Sequence, residues 1–179
     1  FIKMMKGTTV GEWQRRGKYL IASLYRKGVK HQKSLKTREV AGWWGVHLRM
    51  TGQFQWLDQP KGPCGHTRVR FWNTKGQELR FVDIRSFGQM WWVGPDSSPE
   101  EVIKGLKKLG PEPFSNDFNA LYLQKRLKGK TRPIKSALLD QSLVAGAGNI
   151  YADECLFAAG IYPKKASGQL KHLELERLC

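Results

Sequence analysis

Hydrophobic and polar residues alternate in short runs within the first hundred positions, the period of half-buried strands, most cleanly in Gln53 to Leu57 and Glu78 to Asp83. Tyr19 to Tyr25 is a β-rich run, Trp43 to Met50 reads as another strand, and Thr51-Gly52 turns the chain. In Gln53 to Leu57 the alternation puts Phe54 and Trp56 on one face and Gln53 and Gln55 on the other. Thr67 to Trp72, Glu78 to Asp83 and Gln89 to Val93 continue the series. Val29 to Val40 is predicted as a polar hairpin loop and Asp58 to Gly65 as a Pro/Gly loop. Short strands at close spacing, joined by glycine-containing turns, predict an antiparallel sandwich or barrel rather than a parallel sheet.

After Pro95 the period changes. Ser98-Pro99-Glu100-Glu101 is a strong helix start, and Val102, Ile103, Leu106 and Leu109 follow at helical spacing. Gly110-Pro111-Glu112-Pro113 predicts a break and an interdomain hinge, and from Asn116 onward the pattern is helical. The fold class expected is therefore α+β in two domains, residues 1–110 and 111–179. Within the second, Ala137-Leu138-Leu139 leads through Asp140 and Gln141 into a loop holding Gly146 and Gly148. A new helix is predicted to open at Asn149 as its N-cap and to end near Gly160 and Pro163. Free N–H groups and the positive end of the helix dipole make such a loop a place for an anion, usually phosphate. Taken alone, it reads first as an ordinary helix–loop–helix corner packed in a core.

Charge sharpens this picture. Lys plus Arg number 31 against 15 acidic residues, a net charge of +16 with a pI near 10.0, and nucleic acid is the leading partner for such a surface. Lys125 to Lys135 carries six basic residues and no acidic one, just ahead of the two-glycine loop. No apolar run is long enough to span a bilayer and no signal peptide is recognisable, so no membrane partner is expected. Cys64, Cys155 and Cys179 lie far apart without a CxxC pair, which predicts neither a zinc site nor a disulfide framework and suits a reducing cytosol. Two readings stand for Lys18, at the mouth of a strand beside Arg15 and Arg16: a basic edge that discourages aggregation, or a lysine aimed at a phosphate or sugar. Met50, at a turn, is either core filler or an exposed wedge for a gap in a base stack. His66, alone at a loop–strand junction, reads as a surface residue.

Several stretches in fixed order resemble one family. They are Gln14-Arg15-Arg16-Gly17-Lys18-Tyr19, His47-Leu48-Arg49-Met50-Thr51-Gly52, Asp83-Ile84-Arg85-Ser86-Phe87-Gly88, Leu109-Gly110-Pro111-Glu112-Pro113 and the block from Leu139 to Glu154. Together they resemble the formamidopyrimidine-DNA glycosylases, bifunctional base-excision enzymes that remove oxidised purines, and the likeness covers essentially the whole chain. The resemblance implies a β-sandwich followed by a helix–two-turn–helix domain, with damaged double-stranded DNA in the cleft between them. It implies a proton-donor role in β-elimination for Lys18. It assigns Met50, Arg85 and Phe87 to the space left by a flipped nucleotide, where apolar wedges and a planar guanidinium replace stacking and pairing. DNA-backbone contacts fall on His66, Lys130, Lys135 and Asn149, with His47 a weaker candidate.

The sequence also departs from the family pattern. The family's nucleophile is an N-terminal proline amine followed by a glutamate; this chain opens at Phe1, and is expected to be a central fragment, inactive as it stands. The four-cysteine zinc finger is not in these residues either, so no metal or other cofactor is expected here, one structural zinc being expected in the parent. Ser86 stands where many relatives carry a second basic residue. The function implied for the parent is excision of 8-oxoguanine and formamidopyrimidine with β/δ-elimination at the abasic site, by a cytoplasmic, nucleoid-associated bacterial monomer. The alternatives are a non-catalytic binder of damaged or bent DNA and, more remotely, an RNA-binding protein. Within the family, an endonuclease VIII-like preference for oxidised pyrimidines is the rival, and the Arg85 and Phe87 pattern favours the purine branch.

Overall fold

The computed structural model describes residues 1–27 and 38–179. Of the expected hairpin loop, residues 28–37 lie outside the described residues, and Arg38 to Val40 belong to a strand. The chain divides into two compact units, Phe1–Val102 and Ile103–Cys179.

The first unit opens with a single helical turn, α1 (Ile2–Met5), and continues through β1 (Thr9–Arg16), β2 (Tyr19–Lys27), β3 (Arg38–His47), β4 (Gln53–Leu57), β5 (Thr67–Trp72), β6 (Glu78–Val82) and β7 (Gln89–Val93) to the short helix α2 (Pro99–Val102). All pairings are antiparallel, in a four-stranded sheet β1-β2-β3-β7 and a three-stranded sheet β4-β6-β5. Alternation explains the layering: Ala22 and Leu24 of β2 and Trp44 and Val46 of β3 point inward, buried with Met5. Phe54, Phe71 and Leu79 of the second sheet pack against them. The Trp44 ring joins the sheets, with centroids 4.8 Å from Phe71, 5.6 Å from Phe54 and 5.1 Å from Trp13. Aromatic pairs of this kind add about 0.5–1.5 kcal/mol each beyond the area they bury. Phe54 follows the expected inward face, whereas Trp56 at the end of β4 is 55% exposed and donates its Nε1–H to Asp58.

One charged cluster lies within the three-stranded sheet. Glu78 is fully buried and accepts from Arg70 at 2.8 Å and Arg80 at 2.7 Å, and Arg80 reaches on to the Lys61 carbonyl at 2.7 Å. A buried carboxylate is tolerable because both oxygens are met by guanidinium donors. The same arginine anchors the Pro/Gly loop to the sheet.

The second unit holds α3 (Lys104–Lys107), α4 (Ala120–Leu127), α5 (Ile134–Leu138), α6 (Asn149–Ala158), a 3-10 turn (Ser167–Gln169) and α7 (His172–Leu178). Its core gathers Leu123, Leu127, Ile134, Ala137, Leu138, Leu143, Leu156 and Leu175. Each buried leucine contributes about 1.5–3 kcal/mol relative to exposure, which outweighs the weak intrinsic stability of helices this short. Asn119 caps α4 by accepting from the Tyr122 N–H at 2.9 Å.

Two helix boundaries differ from expectation. The continuous helix predicted from Pro99 through Leu109 is two four-residue helices, broken where Ile103 leaves helical geometry (φ −93°, ψ 84°). Pro99 starts the first as predicted, and the Ser98 N–H donates to the Glu101 carboxylate at 2.7 Å. With the break, Ile103 and Leu106 are both buried. Asn149, predicted as the N-cap, is instead the first helical residue. Gly148 is the cap, in an extended conformation, and no side-chain cap hydrogen bond forms.

Candidate nucleic-acid interface

In the first unit β1 and β2 meet in a two-residue turn, Gly17-Lys18, closed by the pair Arg16 and Tyr19. Gly17 has φ 56°, a conformation that glycine adopts without steric cost. The turn carries Lys18 to the hairpin tip, exposed, with partial desolvation lowering its ammonium pKa. Tyr19 pairs with His47 in the neighbouring strand, their rings edge to face at 4.8 Å. His47 is only 8% exposed. Burial, then the positive charges of Arg49 and Lys18, push its pKa down to about 4. Its Nδ1 accepts the Arg49 N–H at 3.0 Å, so the neutral ring carries its proton on Nε2. His47 offers at most a neutral donor to a ligand.

Beyond His47 the chain enters a tight loop, with Arg49 at φ 58° and Met50 standing 73% exposed at its crest. A second loop follows β6, with Ser86 at φ 57° and Arg85 and Phe87 exposed. The two crests meet. Arg85 donates from Nη1 to the Met50 sulfur at 3.0 Å, and its guanidinium lies 4.8 Å from the Phe87 ring centre. The three side chains that the resemblance assigns to a flipped-base void are thus one exposed cluster: thioether, guanidinium and phenyl.

Beneath it sits a residue that sequence reasoning quoted but gave no role. Asp83 is 1% exposed. Its Oδ1 accepts the Thr51 hydroxyl and the Arg85 N–H, and its Oδ2 accepts the Gly88 N–H at 2.7 Å. Burial works against its ionisation, but these bonds and one from the Ser86 N–H outweigh it and hold the carboxyl below the usual range. Arg68 grips the Asp83 carbonyl at 2.8 Å, and the Asp83 N–H donates to the carbonyl of His66, which is exposed beside it. Under both loops lies the Phe81 ring. A Cβ on Gly52 would come within 2.8 Å of Phe81 Cζ, and one on Gly88 within 2.5 Å. Only glycine lets each loop close onto that ring.

In the second unit the loop from Asp140 to Gly148 is fastened throughout. Asp140 accepts the Ser142 N–H at 2.9 Å, the Ser142 hydroxyl at 2.7 Å and Arg132 at 3.0 Å. The Gln141 amide donates to the Ala147 carbonyl at 2.8 Å and accepts the Gly146 N–H at 3.0 Å. Tyr122 and Arg126 of α4 hold the Leu143 and Ser142 carbonyls. This frame presents the first turn of α6, where Asn149 is exposed. Lys135 of α5 pairs with Asp153, one turn further along α6, at 2.8 Å. Lys130 is exposed on the preceding loop, where Gly168 packs against its backbone. Lys135 and α6 are therefore brought together directly. The hydrogen-bonding parts of Asp140, Gln141 and Tyr122 had no signal in the sequence pattern.

Among the described residues no group of His, Cys, Asp or Glu could hold a metal ion, and no helix is long and apolar enough to cross a membrane.

Two family models match the chain: the formamidopyrimidine-DNA glycosylase N-terminal domain over residues 1–90, and the H2TH domain of the same glycosylases over residues 109–179. The chain is 66% identical over its whole length to a formamidopyrimidine-DNA glycosylase of Prochlorococcus marinus strain MIT 9313, covering 62% of that protein. It is 56% identical over 178 residues to one from a Synechococcus strain, covering 60% of it. Among solved structures it is similar to the Lactococcus lactis Fpg in complex with DNA containing an abasic site (TM-score 0.83, 31% identity, 98% of this chain and 60% of that one). It is also similar to the MutM (Fpg) protein of Thermus thermophilus (TM-score 0.79, 35% identity, 98% and 58%). The chain thus spans about three fifths of the length of these relatives.

Proposed function

Because the chain belongs to the formamidopyrimidine-DNA glycosylase family, we propose that the protein encoded here excises oxidised purines, 8-oxoguanine and formamidopyrimidine, from double-stranded DNA and cleaves the resulting abasic site. The observation that carries this reading is the joining of Met50, Arg85 and Phe87 into one exposed cluster. A flipped purine leaves a stack without one member and an orphaned partner base; the thioether and phenyl replace the stacking and the guanidinium offers donors to the orphan. Lys18, at a hairpin tip and with a lowered pKa, is the proton donor of the elimination. Lys130, Lys135, Asn149 and His66 grip the phosphates, with the first turn of α6 supplying N–H donors. His47, neutral and almost buried, serves chiefly to pack Tyr19 and orient Arg49.

The covalent step proposed for the family uses a secondary amine, which among free amino groups only a chain-terminal proline supplies. A polypeptide of these 179 residues alone would bind damaged DNA in a salt-sensitive way and release no base. In the complete gene product a terminal proline amine would bond to the sugar C1′ as the glycosidic C1′–N bond breaks and the oxidised base departs with a proton, and a structural zinc would sit in a four-cysteine finger. The protein works as a cytoplasmic, nucleoid-associated monomer.

The test is to incubate the complete gene product with an 8-oxoguanine duplex and borohydride. A covalent protein–DNA adduct is expected, and none with the 179-residue polypeptide. Tight binding without base release by the complete product would replace this reading with that of a non-catalytic damaged-DNA binder. Turnover by the 179-residue polypeptide would overturn the requirement for the terminal amine.

A further inference from the structure

Met50 and the pair Arg85 and Phe87 come from different loops, thirty-five residues apart between Met50 and Arg85. Their joint action in one base-stack gap requires the loops to move as one body. The direct link between them, from the Arg85 guanidinium to the Met50 sulfur, is exposed and weak. What ties the loops below the surface is Asp83. Its Oδ1 takes the Thr51 hydroxyl from the first loop and the Arg85 N–H from the second, and its Oδ2 takes the Gly88 N–H where the second loop ends. The Arg85 N–H is shared with Thr51 Oγ1 at 3.1 Å, closing a three-membered ring of hydrogen bonds across the two loops.

We propose that Asp83 is the positioning residue for base eversion, with Thr51 as its bridge: a buried carboxylate that locks the Met50 loop to the Arg85–Phe87 loop so that the three side chains enter the duplex together. This rests on the glycosylase reading above. Asp83, 1% exposed, offers no surface to a ligand; it acts through the backbone of the loops it joins. Hydrogen bonds to an ionised, buried acceptor are the strong ones, and low local dielectric strengthens them further. Thr51 is suited to the bridge because its hydroxyl both donates to Asp83 and accepts from Arg85. Ser86 supports the turn from the same carboxylate through its N–H, and its φ of 57° is the strain those bonds sustain.

A base-excision substrate must be flipped and its void filled, whereas a preformed abasic site has no base to evert. Loosening the loops therefore slows the first reaction far more than the second. The variants are Thr51→Val, which removes the bridge and keeps the shape, Thr51→Ser, which restores the hydroxyl, and Asp83→Asn. Each is made in the complete gene product and assayed in single turnover on an 8-oxoguanine duplex and on a preformed abasic duplex. With Thr51→Val, excision is expected to fall about tenfold, the factor for one charge-assisted hydrogen bond lost from the aligned state. Abasic cleavage should change less than about threefold, and Thr51→Ser should restore excision. Void filling, followed by the fluorescence of 2-aminopurine beside the lesion, should slow in parallel. Equal losses on both substrates, or no loss with Thr51→Val, would overturn the proposal. A wild-type product inactive on both substrates would overturn the glycosylase reading, and this proposal with it.

Discussion

Replacing Gly88 by alanine tests whether close approach to Phe81 sets the height of the Arg85–Phe87 loop. The added Cβ would stand 2.5 Å from Phe81 Cζ, 2.9 Å from Cε1 and 3.1 Å from the Asp83 Oδ2 atom. Carbon pairs rest at about 3.5–4.0 Å, so something must move by about 1 Å. The ring has nowhere to go: it is 3% exposed, tilted against Phe54 with centroids 5.3 Å apart, and met at the same Cζ by Gly52. The loop must therefore rise, stretching the Gly88 N–H bond to Asp83. Overpacking of this kind costs about 1–3 kcal/mol, and each kcal/mol lowers Tm by about 4–8 °C in a unit of this size. Gly88 lies outside the positive-φ region, so the effect is one of contact rather than backbone strain. Misplacement by about 1 Å of a group that must fill a base gap costs up to about 100-fold in rate. The assay is thermal unfolding alongside single-turnover excision of 8-oxoguanine, for Gly88→Ala, Phe81→Leu and the double variant. Removing the ring should relieve the clash, so the double variant is expected to be less damaged than the sum of the singles. Wild-type Tm and excision in Gly88→Ala, or strictly additive losses in the double variant, would refute the reasoning.

Acid sensitivity should appear in two stages. His47 is neutral in the fold to about pH 4, whereas an unfolded histidine takes its proton near pH 6.5. Between those values the unfolded chain binds more protons, so stability falls as pH drops through the window and is unaffected by His47 below it. Glu78, whose pKa the Arg70 and then Arg80 hydrogen bonds push down to about 2, contributes stability present above its unfolded value and lost toward pH 2. Urea midpoints measured across pH should flatten between 4 and 6.5 in His47→Gln and at lower pH in Glu78→Gln. In DNA binding, Lys130→Ala should reduce the slope of log K against log salt by about 0.9, one phosphate contact, uniformly across sequences. Lys135→Ala should weaken binding more, since it also leaves Asp153 without its partner beside the proposed phosphate site. Adding Asp153→Asn should cancel the excess, and equal losses for the two lysines would contradict that account.

The strands were legible because alternation is a local property, and β4, β5 and β7 fall where the pattern puts them. The start of α2 was legible for a similar reason, since Ser98, Pro99 and Glu101 act on neighbouring atoms. The break at Ile103 was not, because helical spacing continues through it and only burial in three dimensions turns the backbone. Asn149 and Gly148 both suit a helix start, and composition does not decide between adjacent candidates. The resemblance named Met50, Arg85 and Phe87, the side chains that face outward. Asp83 and Gln141 stayed hidden because their work consists of bonds to backbone groups of a folded loop, which no periodicity records.

Gln141 uses both halves of one amide, its nitrogen giving to Ala147 and its oxygen taking from Gly146. Neither glutamate nor lysine can do both. A carboxylate would face the Ala147 carbonyl with a lone pair, and an ammonium would face the Gly146 N–H with a proton. Deamidation, the slow hydrolysis that turns glutamine into glutamate, would therefore open this loop from inside, and would leave a negative charge beside the phosphates it is proposed to receive. The Asp140, Tyr122 and Arg126 bonds would still hold the outer part of the loop, but the segment just ahead of α6 depends on the chemical persistence of one side-chain amide.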